Sequence, residues 1–259
     1  MRQPLILIVN LDRAVDRLQA IGQRMAALGL SWQRVSAVDG RLLSDEQRRA
    51  TLDEAAFRRK HGMTPWPGEL GCYLSHVEAM RCLLASDAQA ALILEDDVQP
   101  GPTLPAVLDA LLAHPERWDM VKLSAVHSGT PVPVLRLTPG HDLAVMLSRC
   151  TGSSAYLVNR RAAQVYLDGL LPMSLPYDHV FDQGWRFGLA VRMVSPPPCR
   201  HDSETASTIG AGSGNATRKF HWTRRGSTYA YRLGNEWRRL VYALGSLRRE
   251  RRLTRSAAP

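Results

Sequence analysis

Apolar and polar positions follow two patterns along the chain, short apolar runs and helical periodicity, which predict alternating strands and helices. Short apolar runs at residues 5–11, 32–38 and 92–98 are typical of buried strands, whereas apolar residues three and four apart over 14–28 predict an amphipathic helix. Strands that alternate with helices at this spacing indicate one α/β domain, with a mostly parallel central sheet flanked by helices. The remaining predicted strands are 120–124, 132–137, 143–148, 155–158 and 191–194, of which 132–137 and 143–148 are predicted to form a hairpin. Of the remaining predicted helices, one begins at Ser44 and the others span 69–85, 104–114, 161–171 and 177–187.

Composition is that of an ordinary globular protein, with 45% hydrophobic and 22% charged residues among 259. The four cysteines form no CxxC pair and show no metal-ligand spacing, so we expect reduced thiols. The apolar stretch at residues 5–9 is too short for the core of a signal peptide, and no window approaches the length of a membrane span. The sequence therefore predicts a soluble protein of the cytoplasm.

The net charge of +9 is concentrated near the C-terminal end. Residues 232–259 contain eight arginines and two glutamates, a net +6, so the other 231 residues carry only +3. Apolar residues at helical spacing among these arginines are typical of a basic amphipathic helix on an anionic membrane surface, although a solvated tail or a helix packed on the body would show the same pattern. We therefore divide the chain into a domain of residues 1–223, in which 203–223 form a polar flexible loop or lid, and a basic tail of residues 224–259. The apolar positions of the tail are Trp237, Leu240, Val241, Leu244 and Leu247.

Three adjacent carboxylates, Glu95, Asp96 and Asp97, end the apolar run at residues 92–98. In open α/β sheets, ligands lie at the carboxyl ends of such strands. Adjacent acids repel one another unless a cation joins them, and a hard divalent ion shared with a substrate diphosphate is the simplest candidate. The alternative is a strand followed by a solvated acidic turn.

Seven segments resemble, in order, the motifs of glycosyltransferase family 25, the lipopolysaccharide-type sugar transferases, between about residues 5 and 210. The resemblance implies a GT-A type, Rossmann-like fold, a UDP-sugar donor such as UDP-galactose, and inversion at the transferred anomeric carbon. It also implies an acceptor hydroxyl on a lipid-linked lipopolysaccharide or lipooligosaccharide core sugar. The segments are 9–13 with Arg17, 35–40, 68–76, 94–98, 118–123, 155–158 and 176–178, which read VNLDR, VSAVDG, GELGCYLSH, LEDDV, WDMVKL, AYLV and PYD.

In such an enzyme, polar groups at the first two strand ends would bind the nucleotide. The backbone of Asn10 and Leu11 is expected to contact uracil or ribose, and Asp39 to accept a ribose hydroxyl. Arg17, and Arg13 less strongly, would contact the phosphates. The alternative for both arginines is a solvated helix face.

Three further residues are candidates for substrate binding. The resemblance assigns Glu69 and His76 to donor or acceptor contact. Read alone, Glu69 is also an acid at a helix start, which the helix dipole favours, and His76 is also a core histidine. Lys122, at a strand end, is a candidate contact for the diphosphate. Cys72, between Glu69 and His76, is interpreted as a packing residue.

The predicted cofactor is Mn²⁺ or Mg²⁺, which would neutralise the departing diphosphate. Asp97 lies furthest past the strand end and is the predicted direct ligand. Glu95 and Asp96 would hold ribose or sugar hydroxyls, or orient the metal through water. His201 occupies the place where GT-A enzymes often carry a late metal ligand, and imidazole suits Mn²⁺.

Displacement at the anomeric carbon needs a carboxylate that accepts the proton of the incoming hydroxyl. Asp178 and Asp182 lie one turn apart on the predicted helix 177–187 and would share a face. Asp178 aligns with the acidic position of the family and is the predicted base, with Asp182 in reserve. The alternative is a surface helix with exposed acids.

The sequence thus predicts a metal-dependent inverting hexosyltransferase, peripheral on the inner face of the cytoplasmic membrane. Two other classes stay open: a non-catalytic nucleotide-sugar-binding protein of the same fold, and a nucleic-acid-binding protein that uses the arginine tail. The body lacks interleaved aromatic and basic residues, so we expect no nucleic-acid partner.

Overall fold

The computed structural model describes residues 3–127, 129–201 and 219–256, so most of the predicted loop 203–223 lies outside the described residues. The strands are β1 (Leu5–Asn10), β2 (Gln33–Ser36), β3 (Ala90–Glu95), β4 (Val98–Pro100), β5 (Met120–Lys122), β6 (Pro131–Thr138), β7 (His141–Met146), β8 (Ala155–Asn159), β9 (Val191–Ser195) and β10 (Cys199–His201). The helices are α1 (Val15–Ala27), α2 (Asp45–Thr51), α3 (Glu54–His61), α4 (Pro67–Ala85), α5 (Leu104–Leu112), α6 (Arg160–Gly169), α7 (Tyr177–Val180), α8 (Gly184–Phe187) and α9 (Gly226–Ser256).

Eight strands form one mixed sheet in the order β2-β1-β3-β8-β5-β9-β7-β6, and β4 pairs with β10 separately. β1 is parallel to β2 and β3, and β5 to β9, but β8 is antiparallel to β3 and β5, and β7 is antiparallel to β6 and β9. The prediction of a mostly parallel sheet is therefore wrong. A doubly buried strand is an apolar run in either direction, so its pattern carries no information on direction. The predicted hairpin is confirmed as β6 and β7, which turn at Gly140 with φ +110°.

Helices cover both faces of the sheet, and alternate residues of a central strand supply two separate cores. In β1, Leu7 and Val9 pack with residues of α4 and α6, whereas Ile6 and Ile8 pack with residues of α1 and α5. This is the period-two pattern of a strand buried on both faces. The α/β class with a sheet flanked by helices is confirmed.

Two predicted helices are interrupted. Ser44 caps α2 as expected, but Asp53 then caps a separate helix, α3. The segment predicted as one helix over 177–187 is two single turns, α7 and α8. Asp182 lies between them, so Asp178 and Asp182 do not share a helical face.

The arginine-rich tail is one long helix, α9, which packs against α3, α8 and β7. The solvated tail is therefore not observed, since the helix packs on the body, and contact of its exposed side with a membrane surface stays a prediction. Within the described part of the chain, no helix combines the length and the apolar character needed to cross a bilayer.

Candidate active site

A cleft of about 250 Å³ opens where the carboxyl end of β3 meets the amino end of its antiparallel neighbour β8. The backbone amide of Glu95 donates to the carbonyl of Ser154 at 2.8 Å, which joins the two strand ends. The first turns of α4 and α7 supply the other walls. The lining residues are Glu69, Cys72, Glu95, Asp97, Gly152, Ser153, Ser154, Pro176, Tyr177 and Asp178.

The cleft is acidic. Four carboxylates line it, those of Glu69, Glu95, Asp97 and Asp178, and none of the described residues that line it is basic. Carboxylates gathered in one cleft disfavour each other's ionised form unless a cation compensates them. The arrangement therefore suits a positively charged ligand.

A guanidinium group contacts two of the three acids that follow β3. Arg17 Nη2 lies 2.6 Å from Asp96 Oδ1 and 3.1 Å from Asp97 Oδ2. Asn10, at the end of β1, donates to Asp96 Oδ2 at 2.7 Å. Burial raises the pKa of Asp96, and the contacts with Asn10 and Arg17 oppose that rise. Arg17 is thus one cation that joins the adjacent acids, while Asp96 faces Arg17 and Asn10 and does not line the cleft.

Glu95 is held in place by a buried polar and aromatic network. Ser153 Oγ donates to Glu95 Oε1 at 2.8 Å, and His76 Nε2 lies 3.3 Å from the same oxygen. His76 is fully buried and stacks on Tyr177 with ring centroids 4.2 Å apart, and its Nδ1 lies 3.0 Å from the Tyr156 hydroxyl. His76 is therefore a core histidine that reaches the cleft through Glu95 and is not itself accessible to a ligand.

Asp178, the predicted base, lies at the first turn of α7 and lines the cleft. Its Oδ2 accepts a hydrogen bond from the Gly152 amide at 3.3 Å, and 28% of its side chain is exposed. His179 Nε2 lies 3.9 Å from Asp178 Oδ1. Burial lowers the pKa of His179, which favours the neutral form of this imidazole.

Asp182 and Lys122, which were also predicted for the site, lie elsewhere. Asp182 is buried and accepts hydrogen bonds of 3.1 and 3.4 Å from Arg239 of α9. Lys122 is buried, donates to the Cys150 carbonyl at 2.7 Å, and lies 5.0 Å from the centre of the Phe181 ring. Buried charges need partners inside the protein, and each has one. The structure therefore does not place Asp182 as a reserve base or Lys122 as a diphosphate contact.

The residues predicted for the nucleotide lie at or just after the ends of β1 and β2, outside the cleft lining. The backbone oxygens of Asn10 and Leu11 accept hydrogen bonds from backbone amides at 2.9 and 2.8 Å. Asp39 accepts hydrogen bonds from Arg41 and Arg13, and the Arg41 contact foremost holds the pKa of Asp39 well below its usual range. Contacts of these residues with a nucleotide stay predictions.

Glu69 combines two roles at the start of α4. Its Oε2 accepts the Trp66 amide at 2.9 Å, as expected of a helix-start acid, and its side chain lines the cleft. The same turn is pressed against the loop after β2, since a Cβ on Gly71 would lie 2.6 Å from the backbone nitrogen of Gly40 and one on Gly40 would lie 1.7 Å from the Pro67 carbonyl oxygen. Both glycines are therefore needed for the close approach of the two backbones.

His201, the predicted second metal ligand, is paired through its backbone with Val98, one residue past Asp97. Its side chain lies outside the described residues, so its role as a ligand stays a prediction.

A different trio of potential ligands is closer together. Within the described part of the chain, Cys72, His76 and Glu95 each offer an atom within 4.8 Å of the others. Burial, and then the charges of Glu95 and Asp178, raise the pKa of the Cys72 thiol well above its ordinary value. A protonated thiol is a poor ligand, and His76 already contacts Glu95, so we interpret the trio as support for Glu95.

A second, smaller pocket is lined by His179, the neighbour of Asp178 in the chain. Its lining also contains three cationic side chains, Lys60, Arg149 and Arg232, and one carboxylate, that of Glu236. Burial, with repulsion from nearby arginines, lowers the pKa of Lys60, His179 and Arg232. Three cationic side chains against one carboxylate make the lining basic overall.

Residues 152–154 line the cleft without having been predicted for the site, and Cys72, interpreted from the sequence as a packing residue, lines it as well. A Gly-Ser-Ser run directly before a buried strand was the available signal. It could not be used because its position beside Glu95 depends on β8 running antiparallel to β3.

Comparison with known proteins finds the same family that the sequence motifs resemble. The model of "Glycosyltransferase family 25 (LPS biosynthesis protein)" matches residues 3–181. A glycosyltransferase 25 family member of Anopheles gambiae is 32% identical over 124 residues, which cover 45% of this chain and 21% of that protein. Procollagen galactosyltransferase 2 of Homo sapiens is 30% identical over 97 residues, which cover 36% of this chain and 16% of that protein. The match thus spans about a fifth or less of the length of these relatives.

Two further similarities are more distant. The probable inactive glycosyltransferase 25 family member 3 of Bos taurus is 26% identical over 125 residues, which cover 46% of this chain and 21% of that protein. Among solved structures, a glycosyltransferase involved in the glycosylation of the major capsid of PBCV-1 is 11% identical, with a TM-score of 0.42 and coverage of 90% of this chain and 100% of that chain.

Proposed function

This chain belongs to glycosyltransferase family 25, and from that membership we propose that it transfers a hexose, galactose, from a UDP-sugar to a hydroxyl of a lipid-linked lipopolysaccharide or lipooligosaccharide core sugar. The proposed reaction is a metal-dependent single displacement that inverts the anomeric carbon, on a fold of the GT-A type. The observation that carries the proposal is the cleft with four carboxylates at the end of β3.

The composition of the cleft fits a hard divalent ion, Mn²⁺ or Mg²⁺. Its walls offer carboxylate oxygens, the ligands that such ions prefer, and its described lining has no lysine or arginine to repel them. Asp97 would hold the ion, with Glu95 as an outer partner oriented by Ser153 and His76. When bound, such an ion neutralises the charge that develops on the departing diphosphate.

Asp178 is proposed as the base that accepts the proton of the acceptor hydroxyl. The Gly152 amide fixes one of its oxygens, and its partial exposure admits a substrate. General-base catalysis contributes about 10²–10⁴-fold to a rate. Positioning of donor and acceptor in one cleft contributes further, because it replaces an encounter in solution.

Three observations support the choice of sugar and acceptor. Galactose follows from the name of the procollagen galactosyltransferase relatives, and the lipopolysaccharide acceptor from the description of the family. The basic pocket lined by His179 favours an acceptor that carries a phosphate or carboxylate group. Lys60, Arg149 and Arg232 would contact that group.

The test is a panel of nucleotide sugars, each with Mn²⁺ or with a chelator, read by thermal shift and by UDP release. We expect UDP-galactose with Mn²⁺ to raise the unfolding temperature, since a ligand at 100 times its Kd stabilises the native state by about 2.7 kcal/mol. Asp97→Asn should lose the Mn²⁺-dependent part of the shift. Asp87→Asn, an exposed acid after α4, is the matched control and should keep it.

Two results would count against the proposal. A UDP-galactose shift that Asp97→Asn leaves unchanged would remove Asp97 from the metal site. The absence of any nucleotide-sugar shift in the wild type would overturn the donor assignment itself.

A non-catalytic donor-binding role is the second candidate. The Arg17 guanidinium contacts Asp96 and Asp97 and so competes with a divalent ion, and one relative is named as probably inactive. Such a protein would show a donor-dependent thermal shift without UDP release, so the same panel separates the two candidates.

A further inference from the structure

Helix α9 exposes a set of apolar side chains aligned along one face, which we call the apolar stripe. Single exposed apolar residues are ordinary on a protein surface, but an aligned set is not. Leu233 is 76% exposed and Trp237 is 66% exposed. The members recur mainly three and four residues apart and extend over about 22 Å of helix axis. They are Tyr229, Leu233, Trp237, Leu240, Val241 and Leu244.

The side of α9 that is docked on the body is its polar side. Arg239 is paired with Asp182, and Glu250 accepts hydrogen bonds from Arg192 at 2.7 Å and from Arg117 at 2.8 Å. All five side chains are buried, and breaking a buried ion pair leaves an uncompensated charge. The helix therefore cannot roll about its axis to cover the apolar stripe, and the fold itself keeps the stripe exposed.

The surface around the apolar stripe is strongly basic. In helical projection, exposed arginines continue the face of the stripe toward the C-terminal end and flank it. Within α9 as described, Glu236 is the one exposed acid, so six exposed arginines leave a net +5. These arginines are Arg238, Arg248, Arg249, Arg251, Arg252 and Arg255.

We propose that α9 docks this protein on the surface of an anionic phospholipid bilayer. Tryptophan, tyrosine and leucine side chains suit the boundary between headgroups and acyl chains, and arginines suit lipid phosphates. A second copy of the chain would bring two surfaces of like charge together, which opposes association. A nucleic acid would pair with the arginines but leave the apolar stripe in water. An anionic bilayer accommodates both the apolar stripe and the surrounding arginines. The inference rests on α9 alone and is independent of the proposed reaction.

Flotation of the full chain with vesicles tests this proposal. The probes are phosphatidylcholine vesicles with about 30% phosphatidylglycerol and vesicles of phosphatidylcholine alone. We expect the wild type to float with the anionic vesicles. The double variant Leu233→Ser/Trp237→Ser should lower the partition coefficient at least about tenfold. The triple variant Arg248→Gln/Arg251→Gln/Arg252→Gln should lower it on the order of 100-fold.

Matched controls remove the same chemistry from other surfaces. Val15→Ser/Leu42→Ser removes two exposed apolar side chains, and Arg48→Gln/Arg49→Gln/Arg59→Gln removes three arginines from α2 and α3. Both controls should float like the wild type. The UDP-galactose thermal shift should be unchanged in all these variants, so failure of membrane docking and failure of the proposed reaction are distinguishable.

Three outcomes would overturn the proposal. One is equal flotation of the wild type and the Leu233→Ser/Trp237→Ser variant. Another is equal binding to anionic and neutral vesicles. The third is a lipid-free dimer, detected by light scattering and lost in that double variant, without flotation, which would assign the apolar stripe to a second copy.

Discussion

Asp178 and Asp182 stand four residues apart, yet their replacement by asparagine should have opposite consequences. Asp178→Asn removes a carboxylate that lines the cleft and accepts one backbone hydrogen bond. Asp182→Asn removes the negative charge that pairs with Arg239 beneath α9. The first change should affect turnover, and the second should affect the free energy of unfolding.

The cost of Asp182→Asn follows from the surroundings of Arg239. Loss of one partner from a buried ion pair costs about 3–5 kcal/mol. Arg239 keeps a partly exposed neighbour, with its Nε 3.7 Å from Glu236 Oε2, and its guanidinium lies 5.0 Å from the centre of the Trp185 ring. We therefore expect the lower end, about 3 kcal/mol, which corresponds to a fall in Tm of about 6–12 °C.

The cost of Asp178→Asn is expected to be kinetic. The side chain is 28% exposed, so the free energy of unfolding should change by less than about 1 kcal/mol. Turnover should fall by about 10²–10⁴-fold, the range for loss of a general base. Asp182→Asn should retain turnover close to that of the wild type once the folded fraction is taken into account.

Urea unfolding and UDP release, measured on both variants well below their unfolding temperatures, test this contrast. The double variant Asp182→Leu/Arg239→Leu should recover stability, because replacing a buried ion pair with apolar residues is often neutral or stabilising. A cost below about 1 kcal/mol for Asp182→Asn would refute the ion-pair argument. Loss of turnover in folded Asp182→Asn, with turnover kept in Asp178→Asn, would exchange the two roles.

Three further predictions follow from the structure. Gly71→Ala would place a Cβ 2.6 Å from the backbone nitrogen of Gly40, so we expect a loss of about 1–3 kcal/mol by thermal unfolding; an unchanged midpoint would contradict the close approach. Burial raises the pKa of Asp119, but hydrogen bonds from a backbone amide and from Arg161 outweigh burial and leave the pKa below its ordinary value. A depressed pKa contributes stability that is fully present above the unfolded-state pKa and is lost as the pH falls through the folded-state pKa. Asp119→Asn should therefore be destabilising at pH 7, and the difference from the wild type should shrink as the pH falls below the unfolded-state pKa of about 3.9; a constant difference in urea midpoints would exclude this. Arg232→Gln should raise the KM of an acceptor that carries a phosphate or carboxylate group and leave the KM of its neutral analogue unchanged. An equal change in the two KM values would exclude the anionic contact.

Much of the fold could be predicted from local patterns. Alternating Ile6, Leu7, Ile8 and Val9 indicates a strand with two buried faces, and helical spacing places α1 and α4. Strand direction could not be predicted, because an apolar run reads the same for parallel and antiparallel neighbours. The antiparallel placement of β8 is what brings residues 152–154 to the acidic cleft.

Part of the site could also be predicted from the sequence, because a strand end followed by acids is a local feature. The cleft does contain Glu95, Asp97 and Asp178, as expected. The identity of their partners could not be predicted. Asn10 reaches Asp96 across 86 positions of sequence.

The amino-acid sequence by itself determined the secondary-structure pattern, the family motifs and the acids available for chemistry, because these depend on neighbouring residues. Only the tertiary structure decided which acids face the cleft, which one is neutralised by Arg239, and which side of α9 remains in solvent. The physical reason is that burial and ion pairing join residues far apart in the chain, as Asp182 and Arg239 are across 57 positions. The same side chain is therefore a base or a buried anchor according to what the fold places beside it.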